Sequence, residues 1–217
     1  MKRFGTNMKN NKFKIYGLVI FIATLVFIGV AVGVQTGYLD AFDDAVRYRV
    51  YSMRSDKLTV FWKFITHSGD RYVVILLGVI LLLMKSLREK YGVKFAIAAL
   101  SSTALYQIMK YIFQRPRPDL ALRLIEQGGY SFPSGHSMNC LVSYGILIYL
   151  LLKYCENRRL AKILSVGLGL LTILIGFSRV YVGVHYPTDI IGGWSLGIAV
   201  LVAMIYGFEK FDSRSEG

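Results

Sequence analysis

Three short clusters in the second half of the chain have the residue types and spacing needed to bind and transfer a phosphate group. The first holds Lys110 and, seven residues later, Arg117, which stands between Pro116 and Pro118. An ammonium group near the end of an apolar segment is costly unless it is functional or reaches the interface. The prolines stop a helix and force an extended path, so the guanidinium of Arg117 can point back toward Lys110. Arg115 competes with Arg117 for this role.

The second cluster is Pro133-Ser134-Gly135-His136, directly before an apolar run. A helix N-terminus whose glycine permits close backbone approach is an anion site, and the hydroxyl of Ser134 adds a donor. His136 is placed to give a proton to a departing oxygen. Ordinary helix capping by Ser134 is the alternative, although capping does not require a histidine beside it.

The third cluster supplies Ser178, Arg179, His185 and Asp189. An aspartate four residues after a histidine can accept from one ring nitrogen, which fixes the tautomer and leaves the other nitrogen to attack. Asp189 can equally stabilise a helix N-terminus. The chain has only three histidines, and two of them fall in these clusters. Together the clusters suit a phosphate dianion, with cations holding its oxygens, one imidazole attacking and the other protonating the leaving group.

Composition indicates that these clusters lie between membrane helices. Hydrophobic residues make up 54% of the chain, in runs that no soluble domain of this size needs. The formal charge of +13 does not indicate nucleic-acid binding, because the basic residues stand at the ends of apolar segments instead of forming one stripe. Contact with lipid headgroups explains that placement better.

Apolar periodicity predicts an all-α fold, a six-transmembrane-helix bundle with an interfacial amphipathic helical segment after the first span. The predicted spans are 15–36, 72–84, 95–112, 136–152, 163–177 and 189–206; residues 1–14 form a basic cytoplasmic tail, and residues 40–70 form the interfacial segment. A cleaved signal peptide is the alternative for the first span, but its apolar run is longer than usual. Residues 1–217 are expected to form a single integral membrane domain.

Basic residues also predict the orientation. The tail, residues 85–94, residues 153–162 and the C-terminus are rich in lysine and arginine and share one side if the chain crosses six times. Both termini are therefore expected in the cytoplasm, with all three clusters at the outer side of a cell membrane. Gly193 with Gly197, and Ser165 with Gly169, are spaced for close helix packing. His67 is interpreted as structural or solvated, without a nearby partner.

The three clusters resemble the signature of the type-2 phosphatidic acid phosphatase superfamily: Lys110-x6-Arg117-Pro118, Pro133-Ser134-Gly135-His136 and Ser178-Arg179-x5-His185-x3-Asp189. The resemblance covers about 80 residues by motif, and the six-span layout extends it across most of the chain. In size and layout the chain is similar to bacterial phosphatidylglycerophosphate and undecaprenyl pyrophosphate phosphatases of that superfamily.

The resemblance implies a role for each matched residue. His185 would be the nucleophile that forms a phosphohistidine, Asp189 would orient it, and His136 would protonate the leaving alcohol and later help to activate water. The remaining signature positions would hold the phosphoryl oxygens: Lys110, Arg117, Ser134, Gly135 and Arg179. The family works without metal or other cofactor, which agrees with the lack of a carboxylate cluster near the motifs.

The implied substrate is an anionic lipid phosphate drawn from the bilayer, with phosphatidylglycerophosphate first, then undecaprenyl pyrophosphate and phosphatidic acid. No obligatory protein partner is inferred. Three alternatives remain. A vanadium haloperoxidase shares the residue set, but those enzymes are soluble. An anionic lipid binding or transport protein would use the cations alone and release no phosphate. A phosphotransferase would use the same phosphohistidine with an acceptor other than water.

Overall fold

Helices make up most of the described chain. The computed structural model describes the backbone of residues 2–215 and the side chains of residues 11–213. The α-helices are α1 Lys2–Gln35, α2 Asp40–Tyr51, α3 Asp56–His67, α4 Arg71–Leu83, α5 Lys85–Leu87, α6 Val93–Phe113, α7 Gly135–Tyr154, α8 Arg158–Tyr181 and α9 Pro187–Ser215. A π-helix, Arg88–Gly92, joins α5 to α6, and a 3₁₀ turn, Leu120–Leu122, lies in the long connection before α7. The predicted all-α class is confirmed.

Within this described part, four helices are long and apolar enough to cross a membrane: α1, α7, α8 and α9. Helices α3 and α4 pass the same test only when taken together and meet at an angle of 43°, so the described residues hold four candidate spans, or five if this bent pair is one span. The remaining predicted span corresponds to α6, which is 21 residues long but is interrupted by polar residues such as Ser102, Gln107 and Lys110. The predicted count of six is therefore approximate, and the chain is a multi-pass membrane protein.

The helices begin and end where local chemistry favours it. Ser134 precedes α7 and its Oγ accepts a hydrogen bond from the Ser137 N–H at 3.3 Å, while the Asn157 side chain caps α8 in the same way. Helix α6 stops at Gln114, whose φ of 46° is left-handed, and Pro116 follows at once. The first signature cluster is thus an extended path leaving the end of a helix.

Helix α7 occupies the middle of the bundle. It packs against α6, α8 and α9, and α1 lies along the opposite side of α9. The predicted close packing at Gly193 and Gly197 is confirmed, because a Cβ on Gly193 would lie 2.8 Å from the Ser134 carbonyl oxygen and one on Gly197 would lie 3.2 Å from Leu141. Gly169 does not pack closely within the described chain, since no atom lies within 4 Å of a Cβ built there.

The segment 40–70 is helical as predicted, but it is not only a surface cover. Asp43 and Arg47, two charged residues of the predicted interfacial segment, are buried in α2, which packs on α8 and α9. Helix α3 packs on α8 and is followed, after the 43° bend, by α4. Burying the charges is tolerated because each has a partner, described below for Asp43 and supplied for Arg47 by Asp44 at 2.5 Å.

Candidate active site

The signature residues His185 and Asp189 form a buried pair at one end of the bundle. His185 lies in the turn between α8 and α9, Asp189 lies in the first turn of α9, and His185 Nδ1 is 3.0 Å from Asp189 Oδ2. A carboxylate only accepts hydrogen bonds, so Nδ1 carries the hydrogen and Nε2 keeps a lone pair. Arg117 Nη1, which can only donate, lies 3.1 Å from that Nε2. The free nitrogen of His185 therefore faces a cation.

Electrostatics keep His185 neutral. Burial, followed by the positive charges of Arg117 and Lys110, lowers the pKa of His185 well below its ordinary value. A neutral imidazole at neutral pH has the lone pair that a nucleophile needs. The surroundings of His185 thus suit attack on an electrophile and disfavour permanent positive charge on the ring.

A buried network behind the pair holds Asp189. Arg115 Nη1 donates to Asp189 Oδ1 at 2.8 Å, and Arg115 Nη2 donates to Asp43 Oδ2 at 2.7 Å. Asp43 in turn accepts from the Thr188 N–H at 2.9 Å, and the hydroxyl of Ser131 donates to Asp189. Arg115 therefore serves the carboxylates, which leaves Arg117 as the arginine of the first cluster that faces the cavity.

Lys110, Arg117 and Arg179 lie around the His185–Asp189 pair, and their hydrogen bonds within the described chain go to groups other than carboxylates. Lys110 donates to the carbonyl oxygens of Tyr130 and Ser131. Arg179 is 1% exposed; its two terminal nitrogens bond Thr66 and Gln127, and its Nε is buried without a partner.

Arg117 donates from Nη1 to the carbonyl oxygen of Val184 at 2.7 Å. Burial lowers the pKa of Arg117 to about 10, so the guanidinium stays charged at neutral pH. Among the side chains of residues 11–213, no carboxylate lies within ion-pair distance of Lys110, Arg117 or Arg179. The excess positive charge suits a bound anion.

A cavity of about 470 Å³ opens beside these groups. Of the predicted site residues, five line it: Lys110, Arg117, Gly135, His136 and His185. Gly135 is required there by space, since a Cβ would come within 2.9 Å of the Tyr106 ring. Tyr72, Tyr106, Tyr111 and Tyr130 add an aromatic wall. The volume and the mixture of apolar and cationic lining are those of a small-molecule or headgroup site.

The other three predicted site residues lie behind the cavity wall. Asp189 contacts His185, which lines the cavity. Arg179 acts on His185 through its positive charge. Ser134 is fully buried, and its Oγ accepts from both the N–H and the Oγ of Ser137. For Ser134 the structure thus shows the capping contact that the sequence left as an alternative, and the predicted contact with phosphate stays a prediction.

The sequence interpretation of His67 is wrong in one respect, because His67 has a partner. Its Nδ1 lies 2.8 Å from Asp70 Oδ2, and the other oxygen of Asp70 lies 2.9 Å from Nε2 of His136. Asp70, which sequence reasoning missed, lines the cavity. The available signal was the spacing of His67 and Asp70, three residues apart, but the distance of 66 residues to His136 hides the second contact.

Fold and site together define a helical membrane protein with a histidine-based anion site. Residues 91–212 match the PAP2 superfamily over more than half of the chain. Phosphatidylglycerophosphatase B of Bacillus subtilis (strain 168) is 31% identical over 86% of this chain and 92% of its own length. An undecaprenyl-diphosphatase of Sulfolobus acidocaldarius is 34% identical over 62% of this chain and 63% of its own length.

Solved structures agree with these relatives. The crystal structure of a transmembrane PAP2 type phosphatidylglycerolphosphate phosphatase from Bacillus subtilis superposes with a TM-score of 0.79 at 28% identity, covering 88% of this chain and 96% of the other. Aquifex aeolicus LpxE gives a TM-score of 0.62 at 25% identity, covering 75% and 93%. The chain belongs to the PAP2 superfamily and is a lipid phosphatase, so the predicted family and enzyme class are confirmed over the lipid binding or transport alternative.

Proposed function

We propose that this chain hydrolyses phosphatidylglycerophosphate to phosphatidylglycerol and inorganic phosphate through a phosphohistidine on His185. The observation that carries the proposal is the neutral, carboxylate-bound His185 with its Nε2 directed at Arg117, among three cations that pair with no carboxylate of the described side chains. This is the arrangement in which a phosphoryl group is held and attacked.

The first step joins His185 Nε2 to phosphorus and breaks the bond from phosphorus to the leaving oxygen. His136 gives that oxygen its proton, so the lipid departs as an alcohol. In the second step a water gives a proton to His136 while its oxygen attacks phosphorus. The bond between phosphorus and His185 Nε2 breaks, which releases phosphate and restores His185. Asp189, held by Arg115 and Ser131, keeps the hydrogen on Nδ1 throughout. Lys110, Arg117 and Arg179 stabilise the phosphoryl oxygens, together with the amide of Gly135 and the hydroxyl of Ser134.

The substrate assignment rests on the relatives. The Bacillus phosphatase is matched over nearly its whole length, whereas the undecaprenyl-diphosphatases are matched over about two thirds of theirs. Undecaprenyl pyrophosphate is the second candidate, favoured by identities of 34% and 30% to two such enzymes.

The proposed orientation places both termini in the cytoplasm and the active site at the outer side of the cell membrane. Two observations support it. Basic residues are concentrated in the tail, the 85–94 connection, the 153–162 connection and the C-terminus. Three of these regions also meet in space at the end of the bundle away from the cavity, where Lys94 and Lys153 both bind Asp212.

The test measures phosphate release by purified protein in detergent with excess chelator, using phosphatidylglycerophosphate, undecaprenyl pyrophosphate and phosphatidic acid in parallel. We expect the first lipid to give the highest kcat/KM and His185→Gln to lose at least about 10³-fold. Labelled substrate should leave an acid-labile, alkali-stable phosphoenzyme on the wild type only. Release that stops with chelator, or that survives in His185→Gln, would overturn the mechanism, while a higher kcat/KM for another lipid would overturn only the substrate.

A further inference from the structure

The break between α3 and α4 presents one carboxylate to two imidazoles. Asp70 precedes α4 at the N-cap position, yet its side chain makes no capping hydrogen bond. Its oxygens instead face His136 Nε2 at 2.9 Å and His67 Nδ1 at 2.8 Å. An aspartate at this position usually caps the helix. The contact of Asp70 with His136 is therefore not explained by helix capping.

The backbone around Asp70 is held in place by the central helices. The Tyr144 hydroxyl of α7 donates to the Ser68 carbonyl oxygen at 2.8 Å. Gly69 fits tightly, since a Cβ there would lie 2.7 Å from a methyl of Ile175 and 3.1 Å from Cys140 Sγ. The carboxylate of Asp70 is therefore delivered to His136 from a fixed point.

Hydrogen-bond chemistry then decides which nitrogen of His136 exchanges protons. Because a carboxylate only accepts, Nε2 of His136 keeps its hydrogen and donates it to Asp70. The nitrogen left for proton exchange is Nδ1. His185 shows the opposite arrangement, with Nδ1 held by Asp189 and Nε2 free. The two imidazoles thus use opposite nitrogens, each selected by its own aspartate.

We propose that Asp70 is a positioning residue for the proton donor His136, a role that rests on the proposed function. It holds Nε2 so that Nδ1 faces the leaving oxygen, and its charge stabilises the imidazolium that protonates that oxygen. That stabilisation matters because the other charged residues lining the cavity are cations: Arg71, Lys110 and Arg117. Arg179 adds a further positive charge from behind the wall. Of the described residues lining the cavity, Asp70 is the one carboxylate.

The experiment compares two leaving groups in Asp70→Asn. A lipid alkoxide must be protonated as it leaves, whereas p-nitrophenolate leaves without help. The parameter compared is kcat/KM, which reports departure of the leaving group and not the later attack of water on the phosphoenzyme. With phosphatidylglycerophosphate we expect kcat/KM to fall about 10²-fold, because general acid catalysis typically contributes about 10²–10⁴-fold. With p-nitrophenyl phosphate the loss of kcat/KM should be less than about fivefold. A loss of equal size on both substrates would indicate a structural role and overturn the proposal.

A double-mutant cycle supplies the second readout. In a His136→Gln background, Asp70→Asn should cost less than about twofold, because the residue it positions is gone. Additive losses would overturn the proposal. Asp70→Glu, which keeps the carboxylate, should recover part of the lost kcat/KM and guards against a folding defect in the amide variant. Loss of phosphoenzyme in His185→Gln is measured on the same preparations, so failure of the histidine mechanism itself is recognised separately.

Discussion

The two ends of the bundle both carry clusters of charged side chains, and they differ in how the charges are balanced. At the end away from the cavity, Lys12 binds Glu209 at 2.7 Å, and Lys94 and Lys153 bind Asp212 at 2.9 and 2.8 Å. At the cavity end, the carboxylates of Asp43 and Asp189 are both engaged by Arg115. Lys110, Arg117 and Arg179, at or behind the cavity wall, make no ion pair with a carboxylate among the side chains of residues 11–213.

The difference distinguishes charged side chains that stabilise the fold from charged side chains that are available to bind a substrate. Ion pairs between partly exposed side chains hold helix ends together and contribute little each. A buried pair such as Arg115 with Asp43 costs much to break, because the remaining charge has no water. Cations that only carbonyl and neutral side-chain oxygens solvate are ready for an anionic substrate. Three substitutions test this division, and they are ordered by the free energy expected.

Arg115→Gln should have the largest effect, on stability. Removing the guanidinium leaves two buried carboxylates unpaired, at a cost of about 3–5 kcal/mol, or a midpoint lower by about 10 °C. Unfolding can be followed with a thiol-reactive dye in a Cys155→Ser background, because Cys140 is buried and free in the folded protein whereas the free Cys155 is only partly buried. Arg115→Lys is the matched control, which keeps the charge but cannot reach both carboxylates, and should fall between. An unchanged midpoint in Arg115→Gln would contradict the architectural role.

Arg117→Gln should instead act on the rate. Losing one fixed cation at the phosphoryl oxygens should lower kcat/KM about 10²-fold, equivalent to about 2.7 kcal/mol. The melting midpoint should stay within a few degrees of the wild type. Arg117→Lys should recover part of the activity, because it restores charge without the planar fork. A large drop in midpoint with little change in kcat/KM would show that the two arginines have been assigned the wrong way round.

Glu209→Gln should have the smallest effect. It removes the ion pair with Lys12, whose side chain is 51% exposed, so the expected loss is below about 1 kcal/mol. Activity should stay within about twofold of the wild type in the phosphate-release assay. A tenfold loss would break the comparison, since it would tie the far end of the bundle to catalysis.

Apolar periodicity was enough to place the apolar part of each long helix, but α1 begins 13 residues before the predicted span and α9 ends 9 residues after it, because polar turns extend both helices. Six predicted spans correspond to α1, α4, α6, α7, α8 and α9. The burial of charged side chains in α2 could not be predicted from the sequence. Alternating charged and apolar residues are typical both of an interfacial helix and of a helix packed around a buried ion network. Asp43 is the decisive case, since its partners lie 72 and 145 residues away.

The site could be predicted wherever a motif holds its residues close in the chain. His185 lies in the short turn before α9 and Asp189 in the first turn of that helix, so their contact joins residues only four apart in the chain. Residue types alone left Arg115 and Arg117 as competitors, and the family resemblance selected Arg117. The structure adds the reason, because Arg117 lines the cavity whereas Arg115 binds Asp43 and Asp189. Asp70 stayed hidden, since nothing local links it to His136.

The contacts that hold the bend between α3 and α4, made by Tyr144 and Gly69, affect how the protein responds to the thickness of the bilayer. Helices α3 and α4 both expose apolar side chains, such as Phe64 and Leu76, so both are expected to adapt their tilt when bilayer thickness changes. The Tyr144 hydrogen bond and the tight packing of Gly69 hold the bend between them. The contact of Asp70 with His136 is therefore expected to be preserved in membranes of different thickness.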